Sequence, residues 1–221
     1  MDSVDRPQSR GEEFANAASH ALGLLLALGS LPVLLDLVAR RGPELHRFGV
    51  GVFAATMILL YFASALYHAL PPGRLKGWCQ TLDHAAIFLF IAGSYTPFML
   101  GPMPPASGRP LLAAVWGLAL VGILLKLLRR PRSPWLSTVL YLSLAWLGLV
   151  VLGPLLRSVS AAGLAWLLAG AGAYMAGLVF FLLDGRLRYG HFVWHLFVLA
   201  GSGCHFCAAV WHAPVARALG G

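Results

Sequence analysis

His191 and His195 stand four residues apart in His-Phe-Val-Trp-His at the head of an apolar stretch, and His68 closes an earlier one. On a helix, residues four apart share a face about 6 Å apart along the axis, a spacing that suits two ligands of one metal ion. With His68 as a third ligand, three nitrogens and a fourth position open to water would make the pattern of catalytic rather than structural zinc. Zn²⁺ in such a setting brings the pKa of its water to about 7, and a neighbouring carboxylate can orient that water or act as base. Asp83 is the carboxylate near the start of the third apolar run and is the candidate for that role. Ser64 precedes His68 by four residues, on the same helix face one turn deeper. It is placed to hydrogen-bond the water or a substrate carbonyl; an interhelical hydrogen bond accounts for it equally well.

The elements that must position these residues are membrane helices. Of 221 residues, 59% are hydrophobic and only 11% charged, where soluble chains carry roughly a quarter charged residues. Seven apolar runs, at about 18–38, 48–69, 81–100, 110–128, 135–156, 160–183 and 191–212, approach the roughly 20 residues a bilayer-spanning helix needs. The expectation is an all-α membrane protein, a seven-transmembrane-helix bundle over 13–221 preceded by a flexible cytoplasmic segment 1–12. The first run lacks a small-residue cleavage site and is not read as a removed signal. A net charge of +8 could suggest nucleic acid, but its distribution is a topology signal and no nucleic-acid partner is expected. Ten of the sixteen basic residues (Arg6, Arg10, Arg74, Lys76, Lys126, Arg129, Arg130, Arg132, Arg186 and Arg188) fall on one side if the N-terminus is cytoplasmic. The positive-inside rule then favours a cytoplasmic N-terminus and an outside C-terminus.

That topology gathers His20, His68, His84, His191 and His195 at the cytoplasmic end, together with Glu12, Glu13 and Asp83. Ionisable residues at membrane depth are costly and mark functional sites by default. Glu13, Asn16 and His20 follow an i, i+3, i+7 stripe on the first helix, suited to a polar shell around the metal or an entry to it; solvated helix-end residues are the plainer alternative. His84 is a further candidate for that shell. His205, ten residues beyond His195 and so about 15 Å along the axis, is too far to share the metal and is read as a cross-helix hydrogen-bonding residue. His46 is placed in an outer loop. Cys79, Cys204 and Cys207 suggest no disulfide framework. Gly117, Gly122, Gly163, Gly170, Gly172 and Gly177 are read as sites of close helix approach. Pro97 predicts a kink, with Ser94 or Thr96 supplying the freed carbonyl with a partner.

Four groups of residues carry a resemblance to a known family. They are Glu13-x2-Asn16-x2-Ser19-His20-x2-Gly23; Ser64-x2-Tyr67-His68; Asp83-His84-x2-Ile87 running on to Gly93-Ser94-Tyr95-Thr96-Pro97; and His191-x2-Trp194-His195-x-Phe197-Val198-x2-Gly201-x3-His205. In this order across the chain they resemble the bacterial, hemolysin III branch of the progestin and adiponectin receptor family, related to alkaline ceramidases. The resemblance implies seven helices, a cytoplasmic N-terminus and a zinc site near the cytoplasmic leaflet of a bacterial inner membrane. Its ligands would be His68, His191 and His195, with Asp83 as the water-side carboxylate and Ser64 as the serine shared with the ceramidases. The expected function is a zinc-dependent hydrolase of a lipid amide or ester, with membrane lipid as substrate or ligand. The alternative is a non-catalytic regulator of membrane lipid composition or fluidity. A cytolysin finds little support in short loops without an amphipathic pore-forming segment. A retinal photoreceptor is set aside because the only lysines, Lys76 and Lys126, lie at helix ends.

Overall fold

Proline- and glycine-rich breaks divide the apolar runs into helices, and the computed structural model describes residues 6–41, 44–128 and 134–211. The elements are α1 (Arg10–Arg41), α2 (Glu44–Ala69), α3 (Arg74–Leu100), α4 (Pro105–Leu127), α5 (Pro134–Trp146), a 3₁₀ segment (Leu147–Val151), α6 (Leu152–Ser158), α7 (Ala161–Leu182) and α8 (Gly190–Trp211). There is no strand among the described residues. Among the described residues, six segments are long and apolar enough to cross a membrane: Arg10–Leu34, Glu44–Ala69, Pro105–Leu127, Leu136–Ser158, Ala161–Leu182 and Gly190–Val210. Helix α3 has the length, with 27 residues. It does not count with them, for Arg74, Lys76, Gln80, Asp83 and His84 occupy its first three turns. Large side chains on the outside are apolar, for instance Val150 at 74% and Leu25 at 66% exposure, as a lipid-facing surface requires.

Short connections make sequence neighbours antiparallel. Helix α2 packs extensively on α3, α7 on α8, α1 on α2 and α3 on α4, and α1 also packs on α8. One apolar core joins Phe88 of α3, Val115 of α4, Leu144 of α5 and Ala208 of α8, and a second joins Ala27, Phe53, Phe90 and Val198 from α1, α2, α3 and α8. The arrangement brings the beginning of α1, the end of α2, the beginning of α3 and the beginning of α8 to one end of the bundle.

Several local expectations are refined. Helix α1 starts at Arg10, three residues before Glu13. Ser9 and Glu12 form a capping box there: the Ser9 N–H donates to Glu12 Oε2 at 2.9 Å, and the Glu12 N–H donates to Ser9 Oγ at 3.4 Å. His46 is not in a loop but buried in the first turn of α2, where its Nδ1 lies 3.0 Å from the Pro97 carbonyl oxygen. Ser94 and Thr96 donate to the carbonyls of Ile91 and Ala92, not to that of Gly93, which Pro97 leaves without its usual donor. The fifth run is interrupted at Leu147. Tyr95 of α3 reaches into the break, its hydroxyl donating to Ala145 O at 2.7 Å and accepting from Gly148 N at 2.9 Å, so backbone groups freed at membrane depth are satisfied. Of the packing glycines, Gly177 is closely approached by Phe197 and Trp194 of α8, whereas Gly117 and Gly172 face open space. All three cysteines are free thiols.

Candidate metal centre

His68, His191 and His195 converge from the end of α2 and the beginning of α8. One ring nitrogen from each lies within 4.8 Å of the other two, and the ring centroids are 4.7–5.1 Å apart. His68 and His195 are buried, at 4% and 2% exposure, and His191 is half-buried. Zn–N bonds of about 2.0–2.1 Å in a tetrahedral site place nitrogens about 3.4 Å apart, so from separations of up to 4.8 Å the three rings would close inward by up to about 0.8 Å each to hold such an ion.

What fixes the rings is as informative as their proximity. His68 Nδ1 lies 2.7 Å from Glu13 Oε2, His191 Nδ1 lies 2.8 Å from Asp184 Oδ2, and His195 Nδ1 lies 3.0 Å from Ser19 Oγ and 3.2 Å from the Asn16 carbonyl oxygen. Each δ nitrogen therefore has an acceptor for its proton, which selects the tautomer whose ε nitrogen carries a free lone pair. Metal-bound histidines are oriented in this way by carboxylates and backbone carbonyls. His68 Nε2 is buried with no hydrogen-bond partner, and an orphaned buried nitrogen of that kind calls for an explanation. The donor set and this orphaned atom fit a metal ion with a preference for imidazole.

Around the triad, Glu13 also pairs with Lys76 of α3, Oε1 to Nζ 2.9 Å, and Lys76 donates to the carbonyls of Tyr67 and Leu70, both at 3.1 Å. Asp83 is buried, and the nearby Ser64 hydroxyl is buried without a hydrogen-bond partner. His20 stacks face to face on His195, centroids 3.5 Å apart, with both ring nitrogens buried and without a partner. The structure thus brings Glu13, Asn16 and His20 to the triad. His84 instead faces α4, its Nδ1 3.4 Å from Lys126 Nζ, and its carbonyl accepts from the Tyr141 hydroxyl. Deeper in the bundle lie further buried polar groups: Tyr61, whose hydroxyl is bonded to Ser202 and whose ring meets His20 edge-on at 5.2 Å, and the edge-on pair Tyr174 and His205.

Two participants escaped the sequence reading. Asp184, given no role there, holds His191, and Ser19, part of a motif but given no role, holds His195. An acidic residue in the turn seven positions before a candidate ligand was the available signal for the first. Ser19, four residues before Gly23 and three after Asn16, had none beyond its helix face.

The chain matches the family described as Haemolysin-III related over residues 8–206. It is 37% identical to the Hemolysin-3 homolog of Bacillus subtilis (strain 168) over 201 residues, 91% of this chain and 94% of that protein. It is also 37% identical to Hemolysin-3 of Bacillus cereus over 206 residues, covering 93% and 94% of the two chains. The human Monocyte to macrophage differentiation factor is 26% identical over 175 residues, 74% of this chain and 67% of that one.

Proposed function

Since this chain belongs to the Haemolysin-III related family of multi-pass integral membrane proteins, we propose that it is a zinc-dependent hydrolase of lipid amides or esters. In this reading His68, His191 and His195 hold Zn²⁺ near the cytoplasmic face of a bacterial inner membrane. The bundle has seven spans, with α3 as the seventh, the N-terminus inside and the C-terminus outside. The observation that carries the proposal is the set of three histidines whose δ nitrogens are each engaged by an acceptor and whose rings bring one nitrogen each within 4.8 Å of the other two.

Bound zinc would supply Lewis acidity and an acidified water, of pKa about 7. The chain's own groups do the rest. Asp83 takes a proton from the attacking water as the water oxygen bonds the acyl carbon, and returns it to the departing amide nitrogen or ester oxygen as the C–N or C–O bond breaks. Ser64, near that carboxylate, donates a hydrogen bond to the substrate carbonyl. Glu13, Asp184, Ser19 and the Asn16 carbonyl hold the ligands in register. The products are a fatty acid and an amine or alcohol.

A second reading is favoured by one observation: the triad ties α2 to α8, and its holding groups tie both to α1. Metal occupancy would then set helix packing, suiting a non-catalytic regulator of membrane lipid composition or fluidity. The test is elemental analysis of purified wild-type protein and His191→Ala, followed by fatty-acid release from a panel of lipid amides and esters with a ceramidase as control. Near one zinc per chain, lost in the variant, with release of fatty acid supports the hydrolase. Bound zinc without any release moves the function to the regulator, and absence of zinc from the wild type refutes both metal-centred readings.

A further inference from the structure

We propose that Glu12 is a positioning residue for the metal centre, acting through the backbone of Tyr189 on the turn that carries Asp184 and His191; this rests on the metal reading of the three histidines. Glu12 lies outside the stripe of Glu13, Asn16 and His20, and is 2% exposed despite its charge. A carboxylate so deeply buried must be paired. Arg6 donates to both of its oxygens, at 2.9 and 2.5 Å, and Ser9 donates through its N–H at 2.9 Å and its hydroxyl at 2.8 Å. Those bonds are local and belong to the start of α1. One is not: the Tyr189 N–H, 177 residues away, donates to Glu12 Oε1 at 2.8 Å.

Tyr189 has φ 60°, the one positive value outside glycine among the described residues. That left-handed conformation is disfavoured for any residue with a Cβ and persists only where its surroundings hold it. The turn before it is closed by Arg186 and Leu187 donating to the Leu183 carbonyl and Gly190 donating to that of Leu187. The Tyr189 carbonyl in turn accepts from Val193 N at 3.0 Å, within the first turn of α8. Tyr189 is thus gripped on one side by Glu12 and on the other by the helix that presents His191 and His195. Its ring also lies against α1, for a Cβ at Gly11 would stand 3.1 Å from the Tyr189 hydroxyl. Asp184, at the start of the same turn, holds His191 Nδ1. Every ligand is therefore fixed from the first turns of α1: His68 by Glu13, His195 by Asn16 and Ser19, and His191 by Glu12 at one remove.

The experiment compares full-length wild type, Glu12→Ala, Ser9→Ala, Tyr189→Gly and the Glu12→Ala/Tyr189→Gly double variant in detergent. Two quantities are read: hydrogen exchange of amides 184–191 and zinc affinity by chelator competition. Glu12→Ala is expected to speed exchange in the turn and to weaken zinc by about tenfold, the lower range for groups behind metal ligands. Ser9→Ala, which removes the hydroxyl's bonds to Glu12 but leaves the contacts of its carboxylate with Arg6, the Ser9 N–H and the Tyr189 N–H, should leave both near wild type. In the Tyr189→Gly background, where glycine takes φ > 0 without strain, the effect of Glu12→Ala should shrink, and the double variant stays measurable where Glu12→Ala alone does not fold. Unchanged turn exchange in Glu12→Ala, an equal effect of Ser9→Ala, or a double variant as impaired as Glu12→Ala would each overturn the role of Glu12. A wild type that binds no zinc while turn exchange still responds to Glu12→Ala would sink the metal reading and leave the hold on the turn standing.

Discussion

Replacing Glu13 isolates the interaction that orients His68. The carboxylate accepts from buried His68 Nδ1 at 2.7 Å and pairs with Lys76 at 2.9 Å through its other oxygen. Removing the acceptor frees the ring to rotate and makes its ε nitrogen a poorer donor; loss of such a partner costs about 10–100-fold in metal affinity, or about 1.4–2.7 kcal/mol. Glu13→Ala should therefore weaken zinc by that range. Glu13→Gln, which keeps a neutral acceptor oxygen, should weaken it less, because hydrogen bonds to charged groups contribute more than those between neutral ones. Lys76→Met provides the contrast. It removes the partner of the second oxygen, and Lys76 is anchored separately on the Tyr67 and Leu70 carbonyls, so its loss should leave zinc affinity close to wild type. Competition against a chromophoric chelator in micelles, with thermal unfolding run beside it, gives both affinity and integrity. A Glu13→Ala protein that binds zinc as tightly as wild type, or a Lys76→Met protein weakened as much as Glu13→Ala, would refute the argument from ring orientation.

Three other outcomes follow from the packing and topology. Gly177→Leu drives a side chain into Phe197 and Trp194 and should cost about 1–3 kcal/mol through overpacking, whereas Gly172→Ala, facing open space, should be neutral or slightly stabilising; equal thermal midpoints would contradict this. Tyr61→Phe removes a hydroxyl bonded to Ser202, but Ser202 also donates to the Val198 carbonyl. A loss of about 0.5–1.5 kcal/mol with unchanged zinc content is expected, and a drop in zinc would tie this deeper polar set to the metal. With the N-terminus inside, a cysteine at Pro104 in a cysteine-free background should react with an impermeant thiol reagent from outside intact cells and one at Gly73 should not; the reverse pattern would invert the bundle.

How far the sequence discloses the site depends on which residues are linked by helical spacing. His191 and His195 are legible because four residues make one turn, and Glu13, Asn16 and His20 because a stripe repeats every three to four. The capping box in Ser9-x2-Glu12 was equally there to be read but was missed, so the helical domain was begun at Glu13 where α1 starts at Arg10. The hold of Glu12 on Tyr189 was not legible, and that of Asp184 on His191 was signalled only by an acidic residue in the preceding turn, since both depend on the conformation of the α7–α8 turn. The break after Trp146 is likewise silent in hydropathy: Leu-Gly-Leu-Val-Val reads as continuous helix, and only the arrival of Tyr95 from α3 makes the interruption affordable. Glycine pattern alone overreached, since it cannot tell Gly177, against α8, from Gly172, facing outward.

The charges around the triad bear on which ion it would hold. Glu13 and Asp184 lie within 2.8 Å of the triad's rings, and Lys76 pairs with Glu13. Carboxylates so placed favour a cation on the three rings, and imidazole ligands favour zinc and its transition-metal neighbours over magnesium or calcium. The acceptors that supply the negative charge are the ones that orient the rings, so removing either carboxylate should weaken binding through both effects at once.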